Sequence, residues 1–241
     1  MECGDTYVEQ GATATDNCDT SVTIGISGVV DTLHPGVYTL TYTATDDVGN
    51  TASAQRTITV QDTTAPVVTI FGGNTLTAEC GVSLTLPAAT WTDTCAGNGA
   101  ATVSDFGGLN TSNPAVGVYN VVYSGNDGYN TGTATLTVTV VDTTAPVITV
   151  NGADPLTVEC GAVFSDPGAT ASDQCVGTVS VSSSGTVNTA VPGSYTITYT
   201  ANDGNGNTAT ATRTVNVVDT IGPVITLNGN NPETVECGGI Y

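Results

Sequence analysis

The sequence contains no lysine. Arg56 and Arg213 are its only strong cations, against 22 acidic residues and a formal net charge of -20. Such a field repels nucleic acid and anionic membrane surfaces, which excludes both as partners. It also leaves the acids without salt-bridge partners, so another cation must balance them, either diffuse sodium or bound calcium. The single histidine, His34, stands beside Pro35-Gly36. No G-x-S-x-G, no H-E-x-x-H and no phosphate-cradling glycine loop occurs, so the chain is read as not an enzyme. There is no signal peptide at Met1, no apolar run long enough to span a membrane and no helical period. The chain is therefore expected to be a mature piece or fragment that does not insert into membranes.

What is present repeats. Asp62-Thr63-Thr64-Ala65-Pro66 returns as Asp142-Thr143-Thr144-Ala145-Pro146 and as Asp219-Thr220-Ile221-Gly222-Pro223, at offsets of 80 and 77 residues. A Glu-Cys pair recurs at Glu2-Cys3, Glu79-Cys80, Glu159-Cys160 and Glu236-Cys237. A period this long is one small domain. The expected division is 1–61, a domain lacking its first strand; 62–141 and 142–218, two whole domains; and 219–241, the first strands of a further one.

A unit this small usually needs a staple. Cys3/Cys18, Cys80/Cys95 and Cys160/Cys175 are each 15 apart, and the repeated spacing selects local pairing, one disulfide per domain. Closing such a loop contributes roughly 3 kcal/mol in the chain-entropy model. The alternative is metal, but structural zinc wants four ligands at short spacing, and each repeat offers two cysteines. Disulfides place the chain in an oxidising space, secreted or at a cell surface. Cys237 has no local partner and is read as unpaired or intermolecular.

Threonine, valine and glycine dominate, and turn signals come every 8 to 12 residues. That predicts an all-β chain of tandem sandwiches with about seven short strands each. In the third repeat, strands are expected at Pro146–Val150, Leu156–Val158, Val179–Ser182, Gly193–Ala201 and Ala209–Val218. Tyr195, Ile197, Tyr199 and Ala201 share one face. The tyrosine strand recurs with Tyr38 and Tyr42 and with Tyr119 and Tyr123, and these rings are expected in the core with satisfied hydroxyls. Trp91 replaces the alanines at 14 and 171. It should either bulge one core or lie exposed, where it would contact a glycan or protein. Asn110-Thr111-Ser112 matches a glycosylation acceptor.

Asp-Thr-Thr-Ala-Pro, Glu-Cys-Gly, Gly-Ala-Thr-Ala-x-Asp and Gly-x-Tyr-x3-Tyr-x3-Asp-x2-Gly-Asn, in that order over the whole chain, resemble the bacterial immunoglobulin-like repeats of large cell-surface proteins. The pattern is also similar to the hyalin-type repeat. The resemblance implies Ig-like sandwiches strung in tandem with extracellular adhesive or structural duty, and no catalytic activity.

Four acidic positions recur in register: Glu2, Glu79, Glu159 and Glu236 before a cysteine; Asp16, Asp93 and Asp173 two residues before the next; Asp46, Asp127 and Asp203 after the tyrosine strand; Asp62, Asp142 and Asp219 in the linkers. Asn50, Asn130 and Asn207 follow the third set closely. Calcium takes six to eight oxygens, and sandwich loops gather at the two ends. These residues are the candidate calcium ligands, stiffening each joint in a manner similar to cadherin-type tandem domains. Solvated acids serving solubility are the competing reading. Residues 235–241 repeat 1–7 in register, so 219–241 is either the edge of a cut or a strand donated to the open domain 1–61 of another copy, head to tail along a fibre.

Overall fold

The computed structural model describes residues 1–229, 232 and 235–237. Every regular element among them is a β-strand. The chain forms two compact units, Met1–Asp142 and Thr143–Tyr241.

In the first unit, β1 (Thr23–Ser27), β2 (Gly36–Thr45) and β3 (Thr51–Val60) make an antiparallel sheet in chain order. It is followed by β4 (Val67–Ile70), β5 (Thr75–Glu79), β6 (Ala89–Asp93), β7 (Gly97–Asp105), β8 (Gly117–Asn126) and β9 (Thr131–Val141). These six pair in the order β4-β6-β7-β8-β9-β5. Strand β7 bonds β6 through Gly97–Ala101 and turns to β8 from Thr102 onward. Strand β5 runs parallel to β9.

The second unit contains β10 (Val147–Val150), β11 (Leu156–Glu159), β12 (Ala169–Asp173), β13 (Gly177–Val179), β14 (Val181–Ser184), β15 (Gly193–Asn202) and β16 (Thr208–Val218). Here the two layers are separate: β10-β12-β13 and β11-β16-β15-β14. The stretch expected as one strand over 179–182 is divided at Ser180, because Val179 pairs with Ala171 in one sheet and Val181 with Ala201 in the other. In β7 the same change of sheet is made within one continuous strand, with a register shift between Val103 and Asp105.

The tyrosine strand packs as its alternation requires. Ile197, Tyr199 and Ala201 are buried on one face of β15, and Val121 and Tyr123 on β8. The first tyrosine of each strand closes on backbone four residues upstream: Tyr38 donates to the His34 carbonyl, Tyr119 to Ala115 and Tyr195 to Val191, at 2.8 to 2.9 Å. This is the hydroxyl-to-backbone corner of Ig sandwiches.

The neighbouring strand holds a residue that its charge alone would place outside. Arg213 faces inward with Val215 and Val217 and is 0% exposed. Its guanidinium donates to the Tyr199 hydroxyl and to the carbonyls of Asn151, Ala153 and Gly168. It also pairs with Asp166 at 3.5 Å, and Tyr199 donates to the same carboxylate. The first repeat builds the same group from Arg56, Tyr42 and Glu9. In the second repeat Leu136 takes the arginine position opposite Val121, and Tyr123 donates to the Pro87 carbonyl instead.

Trp91 is half-buried and bulges nothing. A Cβ on Gly99 or Gly125 would come within 2.7 Å of its ring or side-chain carbons, so the two glycines provide the room that the indole fills. The third repeat fills the equivalent space with Ala171, Val179 and Ala201, all buried.

The expected cysteine pairs do not form. Cys3 is bonded to Cys95, 92 residues on, with Cα atoms 5.9 Å apart. Cys18 and Cys160 carry free thiols. Cys3/Cys18, Cys80/Cys95 and Cys160/Cys175 are therefore all corrected, and strand length explains why. The Cys3 amide donates to Gln61, Cys80 to Val141 and Cys160 to Val218, each at the end of β3, β9 or β16. Cys18 follows the Asp16 turn near Asp46 and Asp47, at the start of β3. Ten residues of strand separate the two by about 33 Å, where a disulfide needs about 4.4–6.8 Å between Cα atoms. Cys237 is exposed and free.

Candidate functional site: an acidic cluster beside the 62–66 linker

The linker Asp62-Thr63-Thr64 is held by Glu2. Thr63 donates its amide to Oε1 at 2.8 Å and its hydroxyl to Oε2 at 2.7 Å, and the Thr64 hydroxyl adds a third bond at 3.1 Å. These donors, the Thr63 hydroxyl foremost, hold the Glu2 carboxyl below its ordinary range. In the second unit Glu159 holds Thr220 in the same way, at 2.7 and 2.8 Å. At Glu2 and Glu159 the glutamate before cysteine is thus a clasp on the threonine that follows the linker aspartate.

Two turns later in the chain face Asp62. After β6, Asp93 Oδ1 accepts the amides of Cys95 at 2.7 Å and Ala96 at 3.0 Å. Between β8 and β9, Asp127 Oδ1 accepts those of Tyr129 at 2.7 Å and Asn130 at 2.6 Å. Each aspartate uses one oxygen to cap its own turn, which fixes the direction of the other. The Asn130 side chain reaches back to the Asp62 carbonyl and Oδ1, at 3.1 and 3.3 Å.

The result is a like-charge cluster. Carboxylate oxygens of Asp62 and Asp93 and the Cys95 sulfur lie within 4.8 Å of one another. Asp62 is 8% exposed, and its Oδ2 and the Asp127 Oδ2 are buried without a hydrogen-bond partner. Burial, and then the charges of Asp93, Asp127 and Glu2, push the Asp62 carboxyl above its ordinary range. Two anions at 4.8 Å repel by roughly 3 kcal/mol at an effective dielectric of 20. An arrangement of this kind is stable when a cation sits among the oxygens. Cys95 is not a donor here, because its sulfur is spent in the disulfide.

The chain's own cations are engaged elsewhere. Arg56 pairs with Glu9, Arg213 lies in the core of the second unit, and His34 pairs with Asp31 on an exposed loop. The Tyr42 and Tyr7 hydroxyls, the Gly11 amide and Arg56 together lower the Glu9 carboxyl to about 2. Burial and the Glu9 carboxylate push Tyr42 up to about 12. Sequence reasoning missed this pairing. The available signal was that each arginine stands opposite the residue two before the second tyrosine, on the strand next door.

Asp62 meets the aspartates that follow it in the chain, Asp93 and Asp127, and not Asp16 and Asp46 before it. Asp16 and Asp46 lie at the far end of β3, where Asp16 caps Cys18 and Asp19 and Asp46 caps Val48 and Asn50. Asn50 folds back onto the second oxygen of Asp46 at 2.7 Å. In the second unit, Asp173 and Asp203 bring carboxylate oxygens within 4.8 Å of each other, and Asn207 bonds back to Asp203 at 2.6 Å. Glu79 and Asp142 are half-buried, while Asp219 and Glu236 are exposed.

The family model described as bacterial surface protein, Ig-like domain, matches residues 1–60 and 148–217. Hyalin of Lytechinus variegatus is 38% identical over 78% of this chain and 38% of its own length. Hyalin of Strongylocentrotus purpuratus is 36% identical over 78% of this chain and 17% of its length. This chain therefore spans well under half of either relative. Among solved structures, protocadherin gammaB7 EC3-6 is 17% identical over 82% of this chain and 66% of that one, with a TM-score of 0.33. A lipoprotein from Bacteroides thetaiotaomicron is 30% identical over 32% of this chain and 40% of that one, with a TM-score of 0.29. The matched family is one of surface Ig-like domains rather than enzymes, and the localisation it brings is extracellular or cell-surface. The succession of tyrosine-cornered β-sandwiches and the family match over both ends agree: the chain belongs to the bacterial surface protein Ig-like domain family.

Proposed function

We propose that the chain is a structural segment of an extracellular filament or stalk at a microbial surface, and that calcium stiffens its joint at the 62–66 linker. The observation that carries this reading is the pair of buried, unpartnered carboxylate oxygens on Asp62 and Asp127. Asp62 feels the charges of Asp93, Asp127 and Glu2, and no cation of the described residues is paired with any of them. Carboxylate, amide and carbonyl oxygens are the donor set that calcium takes. Asp62, Asp93 and Asp127 would supply the charge, with Asn130 and Glu2 holding the frame. Each repeat would act as one domain, with boundaries at 61/62, 141/142 and 218/219.

Thermal melting in calcium against chelator tests the proposal. At a calcium concentration one hundred times the dissociation constant the gain is about 2.7 kcal/mol, a rise of roughly 5–10 °C for a unit of this size. An unchanged midpoint would sink it.

Strand donation remains the proposed means of head-to-tail assembly. Val224 and Ile225, in register with the edge strand β10, are 88% and 85% exposed, and among the described residues 219–229 form no strand. In domain 1–61 the stretch in register with β6 and β12, residues 12–16, is likewise without strand pairing. Sedimentation of the chain against a version ending at Val218 separates the outcomes: concentration-dependent polymers lost on truncation support donation, and monomers in both remove it. An adhesive role toward a glycan or protein is the competing proposal. Trp91, half-buried over Gly99 and Gly125, favours the structural one.

A further inference from the structure

We infer that the Cys3–Cys95 disulfide presets the cation site, so that thiol redox state and calcium affinity are coupled; the inference rests on the calcium reading of the cluster. Both ends of the bridge are bonded directly to the strands that carry the carboxylates. The Cys3 amide donates to the Gln61 carbonyl at 2.7 Å, one residue before Asp62. The Cys95 amide donates at 2.7 Å to Asp93 Oδ1 itself. The Cys95 sulfur lies within 4.8 Å of carboxylate oxygens of both aspartates. A covalent link thus runs from the linker to the Asp93 turn along the shortest path between two groups whose charges drive them apart.

The packing around the bridge is close enough to pass the constraint on. Gly4, next to Cys3, adopts a φ of +83°, and a Cβ there would come within 2.9 Å of the Thr94 methyl. Only glycine allows both that backbone and that approach. Cys95 itself packs against the first repeat's core cluster, of which Cys3 is a member. Cleaving the bridge frees the Asp93 turn to swing from Asp62, and calcium must then gather the oxygens again at its own cost. A bound cation, in turn, holds the two halves together and disfavours reduction. The two effects are one coupling free energy and must be equal in size.

The chemistry balances with an ordinary thiol. Two glutathione molecules reduce the bridge, giving two protein thiols and one glutathione disulfide, with two electrons and two protons moving to the cysteines. The test is a redox titration of the intact chain in glutathione buffers, with and without calcium. The fraction of Cys3 joined to Cys95 is read by peptide mass after alkylation. Calcium should shift that thiol–disulfide equilibrium towards the disulfide by about tenfold. Calcium titration of the oxidised chain and of the chain held reduced by excess thiol should show the affinity falling by the same factor. Asp62→Asn, which leaves both cysteines in place, should abolish the shift, an effect that a merely structural bridge would not produce. The redox titration needs no cysteine variant, so it decides even if Cys3→Ser/Cys95→Ser loses its fold. Calcium binding equally well to both forms, with no shift in the redox equilibrium, overturns the coupling and leaves the calcium reading standing. No calcium binding to the oxidised chain overturns both.

Discussion

Asp166 and Asp62 are both largely withdrawn from water, and they are accommodated by opposite means. Asp166 has its counter-charge built in: Arg213 at 3.5 Å and the Tyr199 hydroxyl at 2.7 Å. Asp62 has three more carboxylates for company and an oxygen with nothing to accept from. In a chain with two arginines, both are paired with an acid inside their own repeat, Arg213 in the core and Arg56 part-exposed beside Glu9. The acids inside a domain are settled by the chain, and those at the 62–66 linker depend on what the surroundings supply. The second repeat adds a control. With Leu136 in the arginine position it needs no internal acid, and its Tyr123 hydroxyl is satisfied by a backbone carbonyl.

The largest effect is expected from breaking the internal arrangement. Arg213→Ala strands Asp166 and three carbonyls, and should destabilise the second unit by about 3–5 kcal/mol in urea unfolding. Arg213→Leu combined with Asp166→Leu, which copies the second repeat at 136 and 86, should recover most of that loss. Failure to recover would mean that the arginine holds the carbonyls of Asn151, Ala153 and Gly168 more than it holds the acid.

Asp62→Asn tests the other side, with a smaller effect and the opposite sign. In chelator it removes a repelled charge and should raise the melting point of the first unit, while abolishing the response of the melting point to calcium. Loss of stability in chelator would show that the cluster is not strained when bare.

The pH dependence separates the two kinds of acid further. Glu9, held at about 2 in the folded chain, contributes stability above its unfolded value that is lost as pH falls towards 2. Asp62 is raised by folding, so its contribution is fullest below its unfolded value and is lost as pH rises through the folded one. In chelator, a melting curve followed downward from neutral pH should therefore gain from Asp62 before it loses from Glu9, and Asp62→Asn should erase only the gain. The smallest effect belongs to Glu2→Gln. It weakens the clasp on Thr63 and Thr64 at an exposed site and should shift the calcium midpoint more than the melting point in chelator.

The strands were legible in the sequence because period-2 alternation is local: Tyr195 to Ala201 announce their face without any knowledge of the fold. Arg213 was not, since a charged residue in an alternating strand reads as solvent-facing unless its carboxylate partner, 47 positions earlier in sequence, is known to lie across the sheet. The acids at 62, 93 and 127 stood out by recurrence. Which of them meet was settled by strand length, which puts Asp46 and Asp62 at opposite ends of β3. The cysteines failed for a reason of symmetry. Joining each first cysteine to the second of its own repeat, or to the second of the next, gives the same period in sequence. Only the length of β3 separates the two.

That choice of partner has a mechanical consequence. Force entering the chain at Cys3 leaves at Cys95 through a single covalent bridge, and the first repeat hangs inside the loop as a slack side-branch. Their separation of 92 positions, pulled straight, would pay out about 300 Å of thread. The bridge keeps that span to a Cα separation of 5.9 Å. A cord stitched in this way can have a unit melt without growing longer, a property that beads stapled one by one also have within each short loop but never across the gap between beads.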